Sequence, residues 1–377
     1  MTLLHLYGKS LYTTTFITVK MTKVVVGMSG GVDSSVAAAL LKEQGYDVVG
    51  MMLRLWSEPG KEDSNRCCTP DSMAQARRVA AKLNIPFYVV DAKDIFRKTV
   101  VNYFLDGYAR GETPNPCILC NRQIRWEFLF NHALAMGADF MATGHYVRIE
   151  KDALGRLNLL KGIDPAKDQS YVLHVLTQDK LAQALFPVGH YPKSEIRAIA
   201  EKFGLSVAKR PDSQDLCFLA GDDYRGFLQR NAPEILQAGA IVRRDGLVLG
   251  QHVGLANYTI GQRKGLGIPS AVPLYVLGKD ATQNTLIVGE SDELGTSEVL
   301  VDQINWLCGD PPEGPFRAMV KTRYTAREAP AWVTLLDNGT KASGRFENRQ
   351  RDITPGQAAV FYDGDKVLGG GIIVNSK

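Results

Sequence analysis

The sequence predicts an α/β fold: a Rossmann-like parallel sheet with helices on both faces, followed by a small central domain and a C-terminal β-barrel. Three observations carry this. Over the first half, short β-branched runs alternate with alanine- and leucine-rich amphipathic stretches, the pattern of strand–helix–strand units. After about Pro211 the alternation stops and glycines crowd in, at Gly246, Gly250, Gly254, Gly261, Gly265 and Gly267. From about Glu298 the chain reads as short strands broken by turns such as Asp337-Asn338-Gly339 and Asp363-Gly364-Asp365, the punctuation of an antiparallel barrel or sandwich.

Taken in order, Lys23–Met28 is a buried strand by its β-branched run. A Ser/Gly loop follows at Ser29–Ser34, then a helix to about Gln44 that Gly45 closes. Further strands are expected at Asp47–Leu55, Phe87–Val90 and Phe140–Thr143, with helices at about Asp71–Leu83, Asp94–Tyr108 and Tyr224–Leu236. Residues 1–20 read as a disordered extension or a start artefact ahead of Met21. The expected domains are 21–223 for the α/β unit, 224–295 for the central domain and 296–377 for the barrel.

A chain of 377 residues is too long for one small core, so two or three domains are expected. No apolar run reaches the roughly 18 residues of a membrane span, and no signal or transit peptide is legible. The expected compartment is the cytoplasm, with no membrane partner. The net charge of +4 permits nucleic acid without arguing for it. In a long chain without a secretion signal, the cysteines Cys67, Cys68, Cys117, Cys120, Cys217 and Cys308 read as reduced, catalytic or metal-binding rather than as a disulfide scaffold.

Ser29-Gly30-Gly31-Val32-Asp33-Ser34-Ser35 stands between a strand and a helix, where open α/β sheets bind ligands. Adjacent glycines let the backbone approach phosphate closely, and the amides of the next helix face the anion. Ser29, Ser34 and Ser35 add hydroxyl donors. Asp33 has the wrong charge for phosphate and suits Mg²⁺ beside pyrophosphate. The plain alternative is a tight turn with Ser or Asp as N-cap. The full string is neither a Walker loop nor a dinucleotide fingerprint; it resembles the S-G-G-x-D-S loop of enzymes that split ATP into AMP and pyrophosphate.

Thr113-Pro114-Asn115-Pro116-Cys117-Ile118-Leu119-Cys120-Asn121 is the second informative stretch. Two prolines stiffen the approach, and the residues after them run helically, with Arg122 and Arg125 near the start. A thiol there, with arginine close by, is expected to be a nucleophile at neutral pH. A structural zinc half-site is the alternative, but no second Cys/His pair stands at a suitable spacing. Cys217 lies in the polar segment Arg210–Phe218, which reads as a mobile loop; alone it would be an ordinary packed cysteine.

Five motifs occur in order: S-G-G-V-D-S, N-P-x-x-x-C-N, T-G-H-Y at Thr143–Tyr146, K-D-Q-S-Y at Lys167–Tyr171 and D-S-x-x-x-C-F at Asp212–Phe218. Together they resemble the bacterial tRNA-specific 2-thiouridylase family, MnmA, from about Met21 to the C-terminus. Tyr258–Gly265 and Lys321–Tyr324 belong to the likeness. The resemblance implies ATP-dependent thiolation of the wobble uridine, U34, through adenylation of its C2 oxygen. It implies ATP at Gly27, Met28, Ser29, Gly30, Gly31, Val32, Asp33 and Ser34, with Met52 and Gly144 near the adenosine. Cys217 is implied as the persulfide carrier and Cys120 as the nucleophile, either releasing sulfide through a Cys120–Cys217 disulfide or assisting the persulfide's attack. Asn115, Pro116 and Cys117 are implied at the target base, and His145, Lys167, Asp168, Gln169, Arg323, Tyr324 and Gln357 at tRNA.

The implied partners are the tRNAs for Lys, Glu and Gln and a sulfur relay or cysteine desulfurase system. The sequence departs from the family in one place: many members carry Asp where Cys117 stands, and a thiol does not inherit that residue's acid/base role. Cys117, Cys120 and Cys217 also have the composition of a three-cysteine [4Fe–4S] site, and that alternative stays open. Two rival readings are a small-molecule pyrophosphate-loop ligase and a non-catalytic RNA-binding or sulfur-carrier protein. The first has no use for spaced cysteines; the second predicts tRNA binding without AMP formation.

Overall fold

The computed structural model describes residues 21–61, 69–211, 216–219, 221–351 and 353–375; the extension 1–20, Cys67 and Cys68 lie outside these. The first part runs β1 (Lys23–Gly27), α1 (Val32–Glu43), β2 (Asp47–Arg54), α2 (Pro70–Lys82), β3 (Phe87–Asp91), α3 (Lys93–Phe96) and α4 (Asn102–Ala109). It continues with α5 (Pro116–Leu119), α6 (Phe130–Ala135), β4 (Phe140–Thr143), β5 (Val147–Lys151), β6 (Leu157–Lys161), α7 (Ser170–Leu173) and α8 (Gln178–Ala182). Then come β7 (Ala184–Leu185), α9 (Lys193–Lys202) and α10 (Tyr224–Asn231).

Five strands form a parallel sheet in the order β3-β2-β1-β4-β7. Alternation along β1 explains why helices cover both faces. Val24 and Val26 enter one core cluster with α1 and α9, while Val25 enters another with Trp126, Leu129 and Phe130. A strand apolar on both sides can bury neither face alone, and covering helices are the remedy. β1 is central and turns toward β2 on one side and β4 on the other, so its carboxyl end is the crevice where ligands collect in such sheets.

The helix expected over Asp94–Tyr108 is continuous, though Arg97–Val101 between α3 and α4 is π-helical. The cysteine helix has the same feature: Cys120–Leu129, between α5 and α6, is wound as a π-helix. Such segments concentrate at functional sites. Nothing in the apolar spacing signals the change of pitch.

The central unit is a four-stranded sheet, β8 (Gly239–Arg243), β9 (Val248–His252), β10 (Tyr275–Asp280) and β11 (Thr285–Gly289), in the order β10-β11-β8-β9. The last unit has β12 (Thr296–Trp306), β13 (Phe316–Lys321), β14 (Ala329–Leu336), β15 (Lys341–Gln350), β16 (Ala358–Asp363) and β17 (Lys366–Asn375). Because β12 pairs with both β15 and β17, this sheet closes on itself as a barrel. The hairpin turns fall where the sequence put them; Asp337 and Asn338 take φ of 48° and 55°, and Gly364 57°.

One pairing crosses the expected domain limits. The β5–β6 hairpin leaves the α/β domain and joins the barrel's sheet along β17, with Leu160 opposite Lys366. Tyr171, Leu173 and Leu176 share a core cluster with Ala358, Val360, Tyr362 and Val367 of the barrel. The Tyr171 hydroxyl donates to Ala358 O at 3.0 Å and accepts from Ala358 N at 3.2 Å. The two domains are therefore packed, not merely tethered. Among the described residues no helix is long and apolar enough to cross a membrane.

At this seam His174 is fully buried. Its Nδ1–H donates to Tyr171 O at 2.7 Å, and among the described residues Nε2 has no hydrogen-bond partner. Burial, with the nearby Arg122 charge, pushes its pKa down from 6.5 to about 4. The neutral ring is the folded form, so as pH falls below 6.5 the unfolded chain takes up the proton first. Stability should be constant above about pH 6.5 and lost by on the order of 3 kcal/mol between there and pH 4. Urea unfolding of wild type and His174→Asn across that range checks it; a wild-type curve without slope would refute the buried neutral ring.

Candidate active site

The loop after β1 exposes the start of α1. Gly31 is the N-cap in extended geometry and offers no side-chain cap, so the first amides of α1 are left for another acceptor. Gly30 has φ +74°, and a Cβ there would lie 2.2 Å from Ser72 O of α2. The loop backbone must be glycine at this point. Ser34 Oγ accepts from Ser29 N at 3.1 Å, and Ser35 Oγ donates to Gly31 O at 2.8 Å. Arg210 fixes the outer side, donating to Gly30 O at 3.3 Å and to Ser72 Oγ at 3.0 Å.

Gly27 of β1 is level with Thr143 of β4, which brings Gly144 against the start of α1. A Cβ at Gly144 would sit 2.5 Å from Ser34 N. Met28 and Met52 are buried in the α1-side core, so only their backbone could face a nucleotide. Asp33 Oδ1 accepts from Tyr146 Oη and from Lys193 Nζ, each at 2.6 Å. The Lys193 side chain is 11% exposed. Lys193 was not singled out in the sequence, where it is one more polar residue opening an amphipathic helix, and no local signal marks it.

The cysteine helix begins at Asn115, whose Oδ1 accepts from Cys117 N at 3.2 Å as a regular N-cap. The same side chain reaches the Tyr171 hydroxyl. The approach is clamped to the barrel: Thr113 N donates to Pro355 O at 2.9 Å and Gln357 Nε2 donates to Thr113 O at 2.7 Å. Lys279 of β10 adds contacts to Glu112 O and Tyr258 O. All three units thus hold one loop.

Arg122 and Arg125, on the same helix as the thiols, also reach the scaffold. Arg125 NH1 donates to His145 Nε2 at 3.3 Å, and His145 Nδ1–H donates to Thr143 Oγ1 at 2.7 Å. Arg122 lies near Tyr103 and His174. His145 is buried, and burial followed by the Arg125 charge holds its pKa well below the usual range. A neutral ring accepting at Nε2 is what this geometry needs. It ties the cysteine helix to the residue after Gly144.

Cys117 is exposed; Cys120 and Cys217 are half-buried. Cys120 and Cys217 pack on the same apolar cluster, around Phe96, Phe104, Ile124, Phe218 and Phe227. Phe218 is the anchor, with edge-on contacts to Phe104 at 5.2 Å and Phe227 at 5.4 Å. The sequence offered Phe218 only as the last letter of a motif. Residues 212–215 of that motif lie outside the described chain.

The remaining assigned residues divide by burial. Asp168 is buried and accepts from Gly162 N, Ser170 N and Ser170 Oγ. Gln169 brackets Tyr146, its Oε1 accepting from Tyr146 N and its own N donating to Tyr146 O. Arg323 donates to Ile260 O and Thr354 Oγ1. Tyr324 is 41% exposed and meets the Tyr171 ring at 6.2 Å; Lys167 is half-buried. Tyr324 lies within electrostatic reach of Cys117, while His145 and Asp168 hold the scaffold.

Among the described residues, no group of three His, Cys, Asp or Glu side chains gathers as a metal site requires. In this arrangement Cys117, Cys120 and Cys217 do not fit a [4Fe–4S] cluster. Asp33 Oδ1 is already engaged by Tyr146 and Lys193, so a Mg²⁺ held chiefly by nucleotide phosphates would have to take its other oxygen.

The fold and loop define a pyrophosphate-loop α/β protein that uses ATP. The tRNA methyl transferase HUP domain family matches residues 22–221, its PRC-barrel domain 225–290 and the aminomethyltransferase β-barrel domain 296–373. The tRNA-specific 2-thiouridylase MnmA of Magnetococcus marinus is 49% identical over 93% of this chain and 99% of its own length. That of Geotalea uraniireducens is 48% identical over 95% and 97%. The chain belongs to the MnmA family. A solved U34-tRNA thiolase, NcsA from Methanococcus maripaludis with its [4Fe-4S] cluster, aligns at TM-score 0.35 and 22% identity over 56% of this chain and 67% of that one.

Gly144→Ala should lower ATP affinity by about tenfold or more, because the added methyl forces the start of α1 aside. Equilibrium nucleotide binding, with thermal melting as the fold control, tests this; unchanged affinity would place the nucleotide elsewhere.

Proposed function

We infer that this chain is an ATP-dependent tRNA-uridine 2-sulfurtransferase acting on the wobble uridine. The observation that carries the reading is the Arg125–His145 hydrogen bond, which fixes the helix bearing Cys117 and Cys120 beside the glycine loop. ATP chemistry and sulfur chemistry then share one crevice. Membership of the family supports the substrate, and the tRNAs for Lys, Glu and Gln are the proposed set.

The α1 amides and the Ser29 and Ser34 hydroxyls would hold the ATP phosphates. Asp33 would hold Mg²⁺, which neutralises pyrophosphate charge. The uridine C2 oxygen attacks the α-phosphorus; a C2–O–P linkage forms and pyrophosphate leaves. A U34 turned out of its stack would meet Asn115, Pro116 and Cys117. Cys217 takes the outer sulfur of a donor persulfide, supplied by a relay protein or cysteine desulfurase. Cys120 thiolate then attacks the inner sulfur of that persulfide, giving the Cys120–Cys217 disulfide and hydrosulfide. Hydrosulfide adds at C2, AMP departs with the original oxygen, and a proton is lost to leave C2=S. A cellular thiol must reduce the disulfide before the next turnover. Direct attack by the terminal persulfide sulfur on C2 is the variant in which Cys120 assists.

The scaffold gives His145 and Asp168 positioning roles and leaves Lys167, Arg323 and Tyr324 for tRNA. Gln357 would act on tRNA through the Thr113 loop. With no gathered metal set, the persulfide route is preferred over the cluster route. The protein would act in the cytoplasm, where tRNA is modified.

Nucleoside mass spectrometry of tRNA treated with protein, ATP and a sulfur donor should reveal 2-thiouridine. Cys120→Ser and Cys217→Ser should each cut its yield by about two orders of magnitude or more while tRNA-dependent pyrophosphate release persists. A small-molecule ligase would survive both changes, and a passive RNA binder would release no pyrophosphate; either result defeats the proposal.

A further inference from the structure

The Tyr258–Gly265 segment has no part in the chemistry above, yet its conformation is heavily determined. Gly261 and Gly265 take φ of +84° and +78°. Gly261 N donates to Val276 O and Val276 N donates to Gln262 O, each at 2.9 Å. The Gln262 side chain closes the turn from inside, its Oε1 accepting from Thr259 N at 3.1 Å and its Nε2 donating to Lys264 O at 2.9 Å. Leu266 anchors the end in the central core. This braced turn points Arg263 and Lys264 into solvent, and neither has an ion-pair partner among the described residues.

Next to the turn lies a cleft of about 440 Å³ between the central unit and the barrel, lined by Ile260, Leu277, Glu293, Arg244, Arg349 and Arg351 among others. Arg349 donates to the carbonyls of Asp292 and Gly295, at 3.1 and 2.8 Å, and Arg351 to Ser291 Oγ at 3.1 Å. Neutral acceptors orient a guanidinium without cancelling its charge. Among the described residues lining the cleft, Glu293 is the one carboxylate; it stands 3.9 Å from Arg244 and accepts from Glu290 N. Arg317 and Lys341 of the barrel, by comparison, sit on acids, on Glu347 at 2.7 Å and on Asp337 at 2.8 Å. Here, among the described residues, Arg244, Arg263, Lys264, Arg349 and Arg351 stand with one acid, Glu293.

The strip connects to the candidate site. Arg323 bonds Ile260 O, one residue before the turn. Tyr324 beside it faces Tyr171, whose hydroxyl carries Asn115. A pre-shaped row of guanidinium and ammonium groups in excess over acids, leading away from a base pocket, matches the spaced charges of a nucleic-acid backbone.

We propose that the Gly261–Gly265 turn and the adjoining arginine cleft form a phosphodiester-binding strip that grips the RNA backbone beyond the nucleotide presented to Cys117 and Cys120. This rests on the RNA substrate read above. The test is tRNA binding by fluorescence anisotropy across a salt series, for wild type, Arg263→Ala/Lys264→Ala and Arg349→Gln/Arg351→Gln, with melting curves as the fold control. Each pair should weaken binding about tenfold at low salt and reduce the slope of log affinity against log salt by about one to two. The swap Arg263→Lys/Lys264→Arg, which keeps both charges, should retain wild-type slope. Wild-type affinity and slope in both folded neutral pairs would overturn the strip while leaving the substrate reading intact. Weaker binding with an unchanged slope would also overturn it, since no phosphate contact was lost. Failure of wild type itself to bind tRNA would overturn the substrate reading and the strip together.

Discussion

One short chain of contacts governs the rest of the molecule: Arg125 to His145, and Gly144 against the first amides of α1. The hydrogen bond adds a polar tie to the packing of Trp126, Leu129 and Phe130 against β1, which already sets the cysteine helix beside the glycine loop. The bond requires a neutral imidazole with its acceptor nitrogen toward the arginine, and burial supplies that state. Gly144 then permits an approach of strand to helix that any side chain would block. Both constraints are formed by the chain's own residues. Preorganisation of this kind removes reorganisation from the reaction itself.

The barrel is part of the site's support. Thr113 is held from Pro355 and Gln357, and Tyr171 joins Ala358 on one side to Asn115 on the other. Asn115 in turn caps the helix at Cys117. A loop gripped from two domains keeps its shape under load, and groups that must be positioned for reaction benefit from that rigidity. The Cys217 side is arranged differently: Phe218 fastens one end in an aromatic cluster that Cys120 also borders. The cluster gives the two sulfurs a common floor.

Much of this was legible beforehand because it is local. β1 and β2 announce themselves as β-branched runs, and Gly30-Gly31 with Asp33 marks the anion loop. The hairpin turns at Asn338 and Gly364 follow from residues that tolerate left-handed backbone. What escaped was long-range or a matter of degree. Leu160 pairs with Lys366, and Tyr171 bonds Ala358 across 187 positions; no pattern within either segment encodes the other. The π-helical winding of Cys120–Leu129 leaves the apolar stripe nearly unchanged. Lys193 became interesting only when folding set its ammonium on Asp33. His145 reads as a polar residue in a motif, and only the structure distinguishes a buried brace from a surface contact.

The central claim is that one crevice activates the base oxygen with ATP and replaces it with sulfur. It is tested most directly by preparing tRNA with ¹⁸O at C2 of the wobble uridine and following the label. The account predicts that the AMP released during a single turnover carries ¹⁸O in step with 2-thiouridine formation. Unlabelled AMP accompanying fully thiolated tRNA would contradict it.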